Sequence, residues 1–149
     1  MSNVLNVFGA FMTEIEKPGP GRLGVKVILG YPDVGRTSPI FPMGAMTFQN
    51  DDYARNAGGQ GDVRPRIGQV QPVGMQFAGL LHLFAVNERD LLSLVDQMRS
   101  VKAELSNLLV DGHTWVVRFG ATERNPFSPE EDSIFNYSVV TPVRFIRND

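Results

Sequence analysis

The chain has 149 residues, of which 42% are hydrophobic and 20% are charged, which is the composition of a globular domain with one core. The net charge of -2 argues against a surface that binds nucleic acid over its whole area, although it leaves room for a local basic patch. With no cysteine and only two histidines, disulfide scaffolds, thiol nucleophiles, iron–sulfur clusters and histidine-rich metal sites are excluded.

The N-terminal sequence predicts neither a secretion signal nor a membrane span. It lacks a basic stretch at its start, and Glu14 and Glu16 stand where a cleavage site would be expected. The longest apolar run is far shorter than the ~20 residues that cross a bilayer. We therefore expect a single domain over residues 1–149 that assembles in the cytoplasm.

The chain begins with a predicted amphipathic helix over residues 3–16. Its apolar residues follow the i, i+3, i+4, i+7 spacing of one helix face: Val4, Leu5, Val7, Phe8, Phe11, Met12 and Ile15. The stretch Lys17-Pro18-Gly19-Pro20-Gly21 ends this helix, because prolines cannot continue it. The alternation from Leu23 to Leu29 then predicts a short strand.

A poorly patterned stretch follows. Residues 31–42 hold three prolines and predict an irregular connector, and residues 43–48 predict a second short strand. Residues 49–68 combine glycine, asparagine and aspartate with three arginines. A loop of that length is unusual inside a compact domain and is often functional, so we expect it to become ordered in an assembly.

The second half shows stronger patterns. Residues 73–86 predict a long apolar strand, and Asn87 is placed to cap a helix that runs to about Leu109, where Asp111-Gly112 ends it. The predicted buried stripe of this helix is Leu91, Leu94, Val95, Met98, Val101, Leu105 and Leu108. The pattern from Trp115 to Phe119 predicts another strand.

A predicted hairpin completes the chain. Residues 121–133 form its loop and residues 134–146 its returning strand. Pro142 cannot donate to a ladder, which predicts that its end of the strand lies at an edge or a bulge. Strands in runs with two helices indicate an α+β fold. We expect a mixed or antiparallel β-sheet with two helices packed on one face and long irregular loops.

No pattern in the chain indicates catalysis. His82 lies among leucines in a strand, His113 lies in a turn, and neither has an evident nucleophile beside it. The glycine-rich stretch 58–61 is followed by neither a lysine nor a helix start, so it does not predict a phosphate site. We therefore expect no enzyme activity, no metal and no cofactor.

Arginine outnumbers lysine by 11 to 3. Its planar guanidinium binds carboxylates in pairs and stacks on rings, so arginine is favoured at protein interfaces. Around the long loop, basic residues and an aromatic side chain stand close together in the sequence. We take them as candidate intersubunit or partner contacts: Arg36, Tyr53, Arg55, Arg64 and Arg66.

The order of these elements resembles the tail terminator (tail completion) proteins of long-tailed bacteriophages. The resemblance is carried by the N-terminal amphipathic helix, by a strand followed by the connector ILGYPDVGRTSPIFP, by the strand and helix of MQFAGLLHLFAVNERDLLSLVDQMRSVKAEL, and by the final hairpin of TWVVRF and FNYSVVTPVRFI. It covers most of the chain but includes no catalytic signature, and the long loop departs from it.

The resemblance implies an α+β subunit of a hexameric ring in the virion. Such a ring caps the tail tube, ends its polymerisation and docks it to the head-tail connector, or neck. It implies contacts with the tube protein and the neck protein, and allows a contact with the sheath protein. DNA would pass through the lumen without specific binding.

The loop 121–133 is the candidate lumen or ring-contact loop. It carries Glu123, Arg124, Glu130, Glu131 and Asp132, and its four acids against one arginine give a local charge of -3. Acids that face the lumen would keep DNA from adhering to the ring.

Two other interpretations stay open. One is another ring-forming tail component, a tube initiator or a baseplate adaptor. The other is a small nucleic-acid-binding α+β domain that uses the arginine loop, which salt-dependent DNA binding would reveal. A metal or cofactor in purified protein would revive an enzyme.

Overall fold

The computed structural model describes residues 4–32, 40–51, 74–125 and 137–148. These ranges contain, in chain order, α1 (Val4–Glu16), β1 (Val27–Leu29), β2 (Met43–Asp51), β3 (Gly74–Phe84), α2 (Glu88–Glu104), β4 (Asn107–Val110), β5 (His113–Phe119), β6 (Glu123–Arg124) and β7 (Ser138–Asn148). The strands form one sheet in the order β1-β2-β3-β7-β5-β4, with β6 paired to β7. β1 and β2 are parallel, and the other pairs are antiparallel.

Both faces of the sheet carry apolar side chains, and the register of the central strands β3 and β7 shows which residues share a face. Phe77 lies opposite Phe145, and Leu83 lies opposite Val139, so all four side chains are on the same face. The buried residues of α1 and α2 belong to the same core cluster as this face. The other face carries a smaller cluster of Met43, Ala45 and Phe84, with Ile28 and Phe41 packed against it. The predicted α+β fold with two helices on one face is confirmed.

The first helix buries four of the seven predicted stripe residues, leaves Val4 and Met12 partly buried and exposes Leu5. Val7, Phe8, Phe11 and Ile15 are buried, whereas Leu5, which fits the same spacing, is 60% exposed. Phe8 and Phe11 pack against Phe145, with ring centroids 5.6 and 5.2 Å apart. These ring contacts fix α1 over the centre of the sheet.

Ion pairs stabilise the turn that follows α1. Lys17 Nζ donates to the Glu14 carboxylate at 2.8 Å, and Arg22 donates to the same carboxylate through two nitrogens. These partners, Lys17 foremost, hold the pKa of the Glu14 carboxyl below its ordinary value. The backbone N–H of Leu23 also donates to the Ile15 carbonyl at 2.8 Å, which directs the chain back toward β1.

The second helix begins as predicted but ends five residues earlier. The Asn87 side chain accepts a hydrogen bond from the backbone N–H of Asp90 at 2.8 Å, which is an N-cap bond. The helix buries Leu91, Leu94, Met98 and Val101 and ends at Glu104, not near residue 109. Val95 is only partly buried.

The prediction missed strand β4. Leu108 and Val110 are buried while Leu109 is exposed, which is the alternation of a strand. Asp111 and Gly112 have φ values of 52° and 79°, so they form a tight hairpin turn with two left-handed residues between β4 and β5. The Asp-Gly pair therefore joins two strands and does not terminate a helix. Leu105 and Leu108 fit the helical spacing by coincidence, because pairing with β5 decides the conformation there.

Pro142 lies in a central strand, so the edge alternative of the prediction is wrong, but it faces a bulge, the other alternative, because three residues between β5 and β6 oppose two of β7. The strand β7 is paired with β3 on one side and with β5 and β6 on the other. The Pro142 carbonyl accepts a bond from the Gly120 N–H at 2.8 Å, so the ring nitrogen faces that same side. Gly120 lies between β5 and β6, where the ladder is interrupted and no donor is needed from Pro142.

Three further strand predictions need correction. β1 covers only residues 27–29, because Gly24, with a φ of 68°, interrupts the extended backbone before it. Leu29, which was predicted on the buried face of this strand, is 52% exposed. β2 extends beyond Phe48 to Asp51, into the predicted long loop. Residues 123–124, predicted as loop, form β6 against β7. The rest of the 49–68 loop and residues 134–136 of the returning strand lie outside the described residues.

The two ends of the sheet both lie beside α1. Although β1 and β4 are at opposite ends of the strand order, α1 contacts each of them. The Asn6 amide also donates to the Asp111 carboxylate at 3.1 Å, next to β4. The sheet therefore curls around α1 and leaves one flank of the helix next to β1 and the other next to β4.

Candidate interaction surfaces

Only two of the ten sequence-predicted site residues are in the described ranges. Glu123 and Arg124 form β6 and are exposed, and they pair with Val140 and Val139 of β7. The other eight lie outside the described residues: Arg36, Tyr53, Arg55, Arg64, Arg66, Glu130, Glu131 and Asp132. Their proposed lumen, ring and partner contacts remain predictions.

Arg124 makes a surface ion pair. Its guanidinium binds the carboxylate of Glu88 in the first turn of α2, and both side chains are about half exposed. An exposed pair of this kind contributes about 0–1 kcal/mol to stability. The single cation of the acidic loop therefore pairs with a carboxylate of α2.

His82 is the centre of a buried polar cluster on the sheet face opposite the helices. It is 2% exposed, and its ring centroid is 4.9 Å from that of Tyr31. Its Nε2 lies 3.1 Å from the Thr47 hydroxyl, and its Nδ1 lies 3.5 Å from the Asn125 amide nitrogen. Burial lowers the pKa of His82 from 6.5 to about 4, so the ring is neutral at pH 7.

These contacts have the composition of a hydroxyl–histidine–amide relay. Which atom donates between His82 and Thr47 depends on the tautomer of the ring: in the tautomer whose Nδ1 accepts from the Asn125 amide, Nε2 carries the hydrogen, donates it to Thr47 and cannot remove the hydroxyl proton. The cluster joins β2, β3 and the chain after β6.

The described residues offer no site for a metal and no membrane span. No three histidine, aspartate or glutamate side chains in these ranges are grouped so as to hold an ion. Neither of the two helices has the length and apolar composition required to cross a bilayer.

An apolar groove lies on the β1 flank of α1. Its walls are formed by α1, the end of β1 and the middle of β2, and it encloses about 480 Å³. Leu5, Leu29 and Phe48 line it and are 60%, 52% and 55% exposed. Three large apolar side chains that are exposed together are typical of an interaction surface. We call this surface the β1 groove.

A second groove lies on the β4 flank of the same helix. Gly9, Ala10, Thr13 and Glu14 form one wall, Asn107, Leu108 and Leu109 form the other, and the volume is about 460 Å³. Leu109 is 74% exposed. We call this surface the β4 groove. It is lined by β4, the strand at the opposite end of the sheet from β1.

The two edges of the sheet differ in protection. At β1 the backbone N–H of Val27 donates to the Glu16 carboxylate at 2.9 Å, so a side chain of α1 occupies this edge. At β4 the residues are Asn-Leu-Leu-Val, with none of the lysines or prolines that often protect an edge. The β4 edge is therefore the more open one.

Sequence reasoning found neither groove. The only signal for the β4 edge was the Asp-Gly pair at 111–112, which is a strong hairpin signature when apolar alternation precedes it. The β1 groove left no signal, because Leu5, Leu29 and Phe48 come from three separate elements. Comparison with protein-family models and with curated protein sequences gives no match for the chain.

Proposed function

We propose that this chain is a structural protein of a bacteriophage tail, which forms a ring of identical copies at the end of the tail tube. The observation that carries the proposal is the presence of two different uncovered surfaces, the β1 groove and the β4 groove, on opposite flanks of α1. A head-to-tail contact needs two different surfaces on each copy, and such contacts close into a ring when the rotation between neighbours divides a full turn.

The proposed ring is a hexamer that terminates the tube. It pairs with the last tube ring on one side and presents no tube-like surface on the other, so further tube subunits cannot add. The outer surface then receives the neck protein, and in a contractile tail it also contacts the sheath protein. This mechanism needs no catalysis and no cofactor, and it places the protein in the virion after assembly in the host cytoplasm.

The acidic loop supports a position around a DNA channel. Glu123 is exposed on β6, and the loop that continues to residue 133 has a local charge of -3. Negative charge facing the duplex weakens non-specific adhesion, because protein binding to DNA depends on cations that replace its counterions. The loop would therefore let DNA pass without retaining it.

The decisive test is to remove the gene from its phage. We expect tails of uncontrolled length, or tails that never join heads, visible by electron microscopy. Tails of normal length attached to heads would refute termination. The complete loss of tails would favour a tube initiator or baseplate adaptor.

The purified protein provides a second test. We expect a ring in negative-stain images and a particle mass six times that of the 16.5 kDa chain. A monomer at high protein concentration that binds DNA with a steep salt dependence would favour the nucleic-acid-binding alternative.

A further inference from the structure

Two arginines lie directly opposite each other on the face of the sheet that is turned away from α1 and α2. Arg118 of β5 pairs with Arg144 of β7. The next residue of β7, Phe145, belongs to the core that contains both helices, and successive side chains of a strand point to opposite faces. Both arginines are therefore on the other face, which we call the outer face. Arg118 is exposed and Arg144 is partly buried.

The described residues supply no counter-charge to this pair. Neither arginine forms an ion pair with a described residue, and the one hydrogen bond, from Arg144 Nη1 to the Gln76 side-chain oxygen at 3.3 Å, goes to a neutral amide. Among the acids of the described strands, Asp51 lies on the helix side by its register, and Glu123 lies opposite Val140. Val140 precedes Arg144 by four residues of β7, or about 13 Å, which is longer than the ~10 Å over which exposed charges interact in 0.1 M salt.

Like charges directly opposite each other in a sheet repel and destabilise it. We infer that Arg118 and Arg144 form a binding site for one phosphate group with two negative charges, either inorganic phosphate or a phosphate monoester. Such a group carries about -1.5 to -2 charges at pH 7 and three acceptor oxygens, so it neutralises both guanidinium groups and accepts from both. A carboxylate would neutralise only one of them. The site does not depend on the proposed ring.

The surroundings of the pair favour a single phosphate over a nucleic-acid strand. In the row of paired residues across the sheet, Ala78 of β3 and Asn50 of β2 follow Arg144, and neither carries a charge. The neighbouring pair on the outer face is Val116 and Ile146, which are apolar. A nucleic acid binds to cations that are repeated along its backbone. The two charges of this site are bordered by neutral residues instead.

The two arginines differ in how firmly they are held before a phosphate binds. Arg144 is partly buried and its guanidinium is oriented by Gln76. Arg118 is exposed and donates to no described residue, so its side chain can turn toward a phosphate that Arg144 holds. Replacing Arg118 therefore removes half of the site without removing a described contact, which makes it the better position for a test.

The first test is Arg118→Gln, with Arg89→Gln as its matched control. The control removes the same charge from an exposed arginine of α2, on the other side of the sheet. Inorganic phosphate and methyl phosphate are titrated separately into each protein in low-salt buffer, and amide chemical shifts report binding. We expect Arg118→Gln to weaken phosphate binding at least about tenfold and Arg89→Gln to leave it within twofold of the wild type. The tighter of the two probes identifies the free ion or the monoester as the preferred form.

The second test reverses the charge. Arg118→Glu places a carboxylate opposite Arg144, so repulsion across the two strands becomes attraction. We expect this variant to lose phosphate binding and to unfold at a higher temperature than the wild type in phosphate-free, low-salt buffer, as measured by circular dichroism. A lower unfolding temperature would show that the wild-type pair is not repulsive, and would overturn the inference.

The titrations also include the outcomes that contradict the site. Phosphate binding that survives Arg118→Gln would place the bound phosphate elsewhere. Acetate that binds the wild type as tightly as phosphate would assign the arginines to a carboxylate and overturn the phosphate site. A wild-type chain that binds neither inorganic phosphate nor methyl phosphate would overturn it as well. None of these outcomes bears on the ring, whose mass and images are measured independently.

Discussion

At the scale of single residues, His82 shows how burial selects a protonation state. The ring is enclosed by Tyr31 and Phe84 and binds Thr47. Water cannot reach it to solvate a positive charge, so the neutral form is favoured in the folded chain. In the unfolded chain the same ring titrates normally. This difference couples proton binding to stability.

We predict that acid destabilises the fold through His82. Its folded pKa of about 4 is below the unfolded value of 6.5, so the unfolded chain binds more protons between these values and stability falls as the pH is lowered through that window. The expected loss from this group between pH 7 and pH 5 is about 2 kcal/mol. Urea unfolding at the two pH values measures it.

The matched variants are His82→Gln and His113→Gln. Glutamine at 82 removes the titrating group, so we expect lower stability at pH 7 but a smaller loss on going to pH 5. His113→Gln, which removes the other histidine at a partly exposed position, is the matched control. An unchanged pH dependence in His82→Gln would assign the effect to other groups.

At the scale of elements, the helix α1 and the β4–β5 hairpin use glycine for different reasons. Gly112 supplies a φ of 79° in the hairpin turn, a backbone conformation that costs other residues energy. Gly9 has open space around its Cα within the described residues and lies in a regular helix. Replacement of glycine by alanine should therefore lower the stability of the fold at position 112 and raise it at position 9.

We predict that Gly112→Ala destabilises the chain by about 1–2 kcal/mol, because alanine is strained in the left-handed region. Thermal or urea unfolding gives the value. Asp111→Asn is the control, since asparagine tolerates a positive φ and should change stability much less. A neutral Gly112→Ala would mean that the turn relaxes into another type.

We predict that Gly9→Ala stabilises the subunit by about 1 kcal/mol, because it replaces a poor helix former with the best one. The measurement is made on dilute protein, so that assembly does not contribute. A destabilising effect would show that the groove is occupied within the subunit by part of the chain.

At the scale of the whole molecule, Phe145 connects the first helix to the sheet. It is fully buried and its ring lies 5.2 Å from Phe11 and 5.3 Å from Phe77. Phe77 in turn meets the only tryptophan, Trp115, at 5.3 Å. One continuous cluster thus contains both helices and the central strands, which indicates that they unfold together.

We predict that Phe145→Ala lowers the free energy of unfolding by about 3–5 kcal/mol through the cavity it leaves. Trp115 fluorescence and far-UV circular dichroism should shift to the same lower midpoint. Leu92→Ala, at a 56% exposed position of α2, is the control and should have little effect. Separate midpoints for the two signals would show that the core is not one cooperative unit.

The sequence by itself determined the elements whose pattern matches their burial. The stripe of α1, the cap at Asn87 and the alternation around Phe145 could all be predicted, because each depends on neighbours along the chain. It could not separate the end of α2 from β4, since Leu105 and Leu108 continue the helical spacing although Leu108 belongs to β4. It also could not decide whether Pro142 lies at an edge or at a bulge, because a missing donor says nothing about which strands lie on either side.

Only the tertiary structure decided which surfaces remain uncovered. Leu5 shares the helical spacing of Phe8 and yet is exposed, and Leu109 was predicted to lie in a helix. Which apolar side chain is covered depends on how far the sheet curls and where α1 rests in it, and these are set by contacts between residues far apart in the chain. The β1 groove and the β4 groove, and the free edge of β4, could therefore be found only from the tertiary structure.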